Sequence, residues 1–209
     1  MLGFEGAIAV DSQGHSGGLA FLWRNKEDVI LLSLSKNHID VLIEMKGVQK
    51  YRLTGIYGEP DRTKRMETWA LIRSLNNQSA MPWCLIGDMN NVLNQEDKKG
   101  GRPYPTWLIR GLQSVLDDCD LNDMELQGYR YTWEIGHGTD QWIEIKLDRA
   151  LASSSFLQVF TEAKLSNLKV LTSDHNPLLL EPVSIPMMVT CRRFKFEKHG
   201  YVIRCVGKL

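Results

Sequence analysis

Four short polar clusters interrupt otherwise apolar sequence. They are Tyr57-Gly58-Glu59-Pro60, Gly87-Asp88-Met89-Asn90, Leu147-Asp148-Arg149 and Ser173-Asp174-His175-Asn176-Pro177. At least three follow a run that reads as a β-strand. Acids, an amide and an imidazole at strand ends are the groups a metal-assisted hydrolase needs. Asp88 and Asn90 flank a single residue, so both side chains point the same way if the backbone stays extended. A carboxylate and an amide so placed can hold a water and a phosphate oxygen, or a hard cation. Gly-Asp and Asn-Asn are equally the makings of an ordinary turn. His175 beside Asp174 suits proton transfer or stabilisation of a phosphorane-like charge; an idle surface pair is the plainer alternative. Asp148 could accept from His175 and fix its tautomer, or pair with Arg149 or Lys146. Tyr57 could donate its hydroxyl to a phosphate, or pack on Pro60. The basic, glycine-rich loop at residues 98–102 could meet a phosphate backbone or stay solvated. Trp133 and Trp142 read as packing residues, and His15, His38, His137 and His199 stand in no motif.

Regular elements must carry these clusters. Short apolar runs at residues 29–34, 51–57 and 82–86 have strand length. Residues 38–45 alternate, with Ile39, Val41, Ile43 and Met45 on one face. Asp61 can cap a helix through about residue 78, with Trp69, Leu71, Ile72 and Leu75 on its apolar face. Gly87 reads as the break after the 82–86 strand. Residues 91–105 read as a polar loop. A second helix starts at Thr106 and carries Leu108, Leu112, Val115 and Leu116 at amphipathic spacing. Acids at its end oppose the helix dipole, which places Asp120 outside it. Strands at 129–134 and 141–147 flank a Gly136-His137-Gly138 turn, and Asp148 shares the polar face of Glu144 and Lys146. A short helix at 153–160 and strands at 165–171 and 178–180 complete the domain. Strands outnumber helices, and the hairpins lack helical crossovers. Packed sheets with helices outside are therefore expected, not a purely parallel sheet.

The chain has 209 residues, 43% apolar and 24% charged, with a formal net charge of zero. That is the balance of one soluble globular domain, and it gives no global attraction to an anionic partner. Cys84, Cys119, Cys191 and Cys205 are scattered, which argues against a zinc site or a disulfide framework. No apolar run approaches the roughly 18 residues that span a bilayer, and the N-terminus lacks the basic region of a signal peptide. A soluble intracellular protein is expected, with residues 1–183 as the domain and 184–209 as a tail or linker, poorly ordered.

The strings SGGLAFLW, TGIYGEP, PWCLIGDMNNVL, KKGGRP, YTW, KLDRALA and SDHNPLLL occur in that order between Ser16 and Leu180. Together they resemble the endonuclease/exonuclease/phosphatase superfamily, which has the DNase I-like fold. Within it they resemble the endonuclease domain of plant LINE-type retrotransposons. The resemblance implies an α/β four-layer sandwich, two packed β-sheets flanked by helices, with the site at one rim. It implies Mg2+-dependent (or Mn2+-dependent) hydrolysis of a phosphodiester, with DNA as partner and a nuclear setting following from that substrate. By similarity Asp88 activates water, Asn90 and Tyr57 hold the phosphate, His175 stabilises the transition state, Asp148 holds His175, and Asp174 helps bind the metal.

The same resemblance implies departures. The family's first strands, bearing an asparagine and the principal metal-binding glutamate, should precede Ser16 by several dozen residues, where this chain has fifteen. Lys146 stands where an arginine is usual, and Glu59 adds negative charge near the phosphate position. Residues 192–197 resemble the link toward a reverse transcriptase, a domain this chain does not contain. The expectation is thus an endonuclease domain truncated at its N-terminus, with weakened metal binding and weak or no activity. The rival expectations are a non-catalytic retroelement-derived fragment or nucleic-acid-binding pseudoenzyme, and an inositol-phosphate or lipid phosphatase of the same fold.

Overall fold

The alternation and apolar runs of this sequence become strands β1 (Gly6–Gln13), β2 (Ser16–Trp23), β3 (Val29–Ser35), β4 (His38–Ile43) and β5 (Tyr51–Tyr57). Helix α1 (Arg65–Asn76), β6 (Trp83–Asp88), β7 (Lys98–Lys99), α2 (Thr106–Asp118), β8 (Leu121–Asp123) and β9 (Leu126–Gln127) follow. The chain continues through β10 (Trp133–Ile135), β11 (Ile143–Ile145), β12 (Asp148–Ser153), α3 (Ser154–Val159), β13 (Lys164–Asn167), β14 (Leu178–Glu181) and β15 (Tyr201–Ile203). This is a computed structural model, and it describes residues 3–13, 16–170, 172–182 and 201–203.

The spine is a six-stranded sheet in the order β3-β4-β5-β6-β12-β8. Its strands have two apolar faces because both faces are covered. On one, α1 and α2 bury Ile72, Leu75, Leu108, Leu112 and Val115 against Ile56, Trp83, Leu85 and Leu151. On the other, Leu19, Phe21, Leu165 and Leu180 from small sheets pack against Ile39, Val41, Leu53, Ile86 and Ala150. Each fully buried aliphatic side chain contributes about 1.5–3 kcal/mol. The small sheets run β1-β2-β15 and β14-β13-β9, and a third, β10-β11-β7, stands at the rim. The expected pair of packed sheets with helices outside is therefore present, its second sheet divided into pieces. No helix among the described residues is long and apolar enough to cross a membrane.

Several boundaries differ from expectation. The Asp61 carboxylate does cap, accepting from Thr63 N, but over a 3-10 turn ahead of α1. Gly87 does not end β6, which continues to Asp88. Part of the polar loop at 91–105 pairs as β7. Asp148 does not belong to the strand of Glu144 and Lys146: it opens β12, in a different sheet from β11. The β1–β2 hairpin was not foreseen as such. Asp120 lies outside α2 as expected. Cys84 and Cys119 are buried thiols. Within the expected tail, β15 pairs with β2; residues 183–200 and 204–209 lie outside the described residues.

Candidate active site

Tyr57, Asp88 and Asp148 end or begin three adjacent strands, and register makes them neighbours in one row. Asp88 lies opposite Tyr57 on β5 and opposite Asp148 on β12. Side-chain alternation decides which way they point. On β6, Trp83 and Leu85 face the helices while Cys84 and Ile86 face the small sheets. Asp88 therefore follows Cys84 and Ile86. By the same parity Tyr57 follows Leu53, and Asp148 precedes Ala150 and Ala152. All three look into the rim between the sheets, and the Tyr57 ring packs against that second core cluster.

Two glycines permit the close approach. Gly87 has φ of 148°, and a Cβ there would meet the Ile56 carbonyl oxygen at 2.0 Å. A Cβ on Gly58 would meet the Met89 carbonyl oxygen at 2.3 Å. Gly58 N donates to Asp88 O at 2.6 Å, so the turn after β5 is fastened to the end of β6.

His175 arrives from the loop before β14. Its Nδ1 lies 2.9 Å from Asp148 Oδ2. Backbone bonds hold the loop: Asn176 N donates to Thr132 O, and Glu134 N donates to Asp174 O. Thr132, fully buried, accepts from both Leu147 N and Asp148 N through its hydroxyl, at 3.0 and 2.9 Å. One residue thus ties together the His175 loop and the Asp148 backbone. Thr132 lies within the YTW string, but no local signal in the sequence marks it for this role.

The pairing of Asp148 is settled by its competitors. Arg149 and Lys146 both reach Asp123, and Arg149 also reaches Asp97, so neither takes Asp148. Asp97 in turn accepts from Leu93 N and Asn94 N, which fixes the chain just beyond Asn90.

Burial pushes the Asp88 carboxyl up to about 7. The nearby Asp148 charge adds to this, against the lowering influence of His175, the Asn90 N–H and Arg65. For His175, burial alone would lower the pKa. The hydrogen bond and charge of Asp148, with Asp88 and Asp174 behind them, outweigh burial and leave it raised. The pair is a carboxyl poised near neutrality beside an imidazole whose protonated form is favoured by Asp148, an arrangement suited to general acid–base work.

Asn90 adopts the left-handed conformation, φ 49°. Its N–H donates to Asp88 Oδ1 at 2.7 Å, and its Nδ2 donates to Asp88 Oδ2 at 2.8 Å and Gly58 O at 2.9 Å. Both amide hydrogens are engaged, so Asn90 as placed orients Asp88. It reaches a phosphate only by giving up one of these bonds. Glu59 does not project toward the site as a bare charge, since its Oε1 accepts from Asp61 N. Arg65, at the start of α1, was missed by sequence reading. It is buried, donates to the Tyr104 hydroxyl and the Pro60 carbonyl, and its charge reaches Asp88.

A divalent cation needs oxygen ligands, and Mg2+ near-octahedral ones. The carboxylates of the site are already engaged: Asp88 by Asn90, Asp148 by His175, and Asp174 Oδ2 by Trp133 Nε1 at 3.3 Å. Among the described residues no group of three or more His, Cys, Asp or Glu could hold a metal ion. These residues do not by themselves fit one.

The fold is similar to that of the endonuclease domain of TRAS1, a telomere-specific non-LTR retrotransposon. The TM-score is 0.65 and the identity 16%, over 90% of this chain and 83% of that one. It is also similar to a functionally unknown conserved protein from Enterococcus faecalis V583, with TM-score 0.53 and 14% identity over 85% and 76% of the two chains. At such identities the likeness is one of fold. No protein of curated function matches the sequence. The sequence itself matches the Endonuclease/Exonuclease/phosphatase family over residues 3–175, a span that includes Tyr57, Asp88, Asp148 and His175. With most of its length matched, and the matched motifs gathered at one rim of the sandwich, the chain belongs to the Endonuclease/Exonuclease/phosphatase family.

Proposed function

We propose that this chain is a phosphodiester hydrolase acting on DNA, an endonuclease of retroelement descent. One observation carries the reading. Asp88, Asp148 and His175, far apart in sequence, converge on one rim with His175 bonded to Asp148 and Asp148 opposite Asp88. Asp88 takes a proton from a water that attacks phosphorus. The water oxygen forms the new P–O bond as the bond to the leaving oxygen breaks. His175, kept protonated and oriented by Asp148, faces the charge that builds on the phosphoryl oxygens, where a fixed cation is worth more than in water. Tyr57 adds a hydroxyl donor, and Asn90 holds Asp88 in position.

Family membership favours help from Mg2+ or Mn2+, with Asp174 the residue offered to it. The engaged carboxylates favour weak binding of such an ion. They also favour a second reading, a non-catalytic domain that binds nucleic acid. Supercoiled plasmid incubated with the protein and Mg2+ or Mn2+ separates the two. The endonuclease yields relaxed circles, and Asp88→Ala or His175→Ala slows that at least about 100-fold. No relaxation with DNA binding retained supports the non-catalytic reading. Faster turnover of inositol phosphates than of DNA supports a phosphatase instead.

A further inference from the structure

Several cations of this molecule face carboxylates. Arg52 pairs with Asp40, Arg73 with Asp118, Lys99 with Glu144, and Lys146 and Arg149 with Asp123. Among the described residues Arg62, Arg65 and Lys98 have no carboxylate ion pair, as holds for other surface cations, but Arg62 and Arg65 meet at one ring, Tyr104, and the charge of Arg62 also reaches Lys98. The Arg62 guanidinium carbon lies 5.3 Å from the ring centroid. Arg65 Nη1 donates to the Tyr104 hydroxyl at 3.0 Å. Lys98, half-buried, turns its ammonium back onto the carbonyls of Gly100 and Arg102. Burial and then the charge of Arg62 make the protonated ammonium less favourable. Arg65 is itself buried, and its Nε finds no acceptor.

Like charges gathered in a partly dry place repel, and a buried donor without an acceptor costs about 1–3 kcal/mol. Both penalties are relieved by an anion. The position is specific as well. The Tyr104 hydroxyl donates to Asn90 O at 3.2 Å, so the ring joins this cluster to the turn that holds Asp88. Gln95 fixes the ring's backbone, accepting from Tyr104 N and donating to Tyr104 O.

We propose that Arg62, set on the Tyr104 ring with Arg65 behind it, and Lys98, bonded to the Arg102 carbonyl two residues before that ring, form a second phosphate subsite. It would hold a backbone phosphate flanking the one attacked at Asp88. The ligand class is a phosphodiester chain, since a mononucleotide or a phosphomonoester has no second backbone phosphate to place there. The inference rests on reading the rim as a phosphodiester site, and binding separates it from catalysis.

The test is fluorescence anisotropy of a labelled DNA duplex against the full chain, in Arg62→Gln, Lys98→Gln and the double variant, as salt is raised. Each lost phosphate contact lessens the slope of log K against log salt by about 0.9. The double variant removes both cations from that one phosphate and should therefore lose about 0.9 from the slope, while Lys46→Gln, at the opposite end of the sheet, changes nothing. Both substituted residues are exposed or half-buried, so the variants keep the fold. An unchanged slope in the double variant overturns the subsite, even if the protein nicks DNA and Asp88→Ala abolishes nicking. A wild-type chain that does not bind duplex also overturns it. A reduced slope in a protein that never nicks leaves the subsite standing and removes the endonuclease reading alone.

Discussion

Asp88 and Asp148 face each other across two strands, each only 3% exposed, and burial first, then that proximity, raises the Asp88 pKa. Asp88 ordinarily ionises near 3.8 but here near 7. A raised pKa means the folded state holds its proton more tightly than the unfolded state. The stability it contributes is full below pH 3.8 and is lost as pH rises through about 7. His175, also raised, gives up stability in the same direction, from above its ordinary 6.5. Asp88→Asn should therefore raise the melting temperature at pH 8 by about 3–6 °C and change it little at pH 4. Thermal scans at the two pH values check this; an equal effect at both contradicts the shift. Residue types were readable from sequence here, but partners were not. Asp148 had three candidate cations nearby, and only Asp97 and Asp123, distant in the chain, decide which of them it keeps.

At the scale of elements, the site depends on where strands end. The alternation through residues 141–147 runs on past Lys146, so one strand was the natural reading. The structure bends there instead, and β12 passes into the central sheet with every residue buried, leaving no alternation to read. Gly87 likewise looked like a stop, though a strand pressed against the Ile56 carbonyl needs a residue without Cβ there. The bend before Asp148 is secured by the Thr132 hydroxyl. Thr132→Val keeps the shape and removes the acceptor from two buried N–H groups. Urea unfolding should show a loss of about 2 kcal/mol or more. A loss below about 0.5 kcal/mol would mean the hydroxyl does not hold this bend.

Across the whole molecule, the helices were legible through their 3.6-residue apolar spacing, and strands β3 to β6 through apolar runs of strand length or, in β4, alternation. The β1–β2 hairpin was not, since residues 6–13 mix small and polar side chains and hold their place through pairing with β2. Metal binding is likewise a property of the assembled rim. With its carboxylates engaged, the protein alone should give no saturable heat on calorimetric titration with Mg2+. Sub-millimolar binding in the absence of DNA would contradict the ligand assignments. If one rim, not scattered residues, performs the chemistry, plasmid relaxation by Asp88→Ala, His175→Ala and the double variant will show it. Groups that act as a unit lose their effect together, so the double variant should be no slower than the worse single one. Losses that multiply, as for independent sites, would contradict the account.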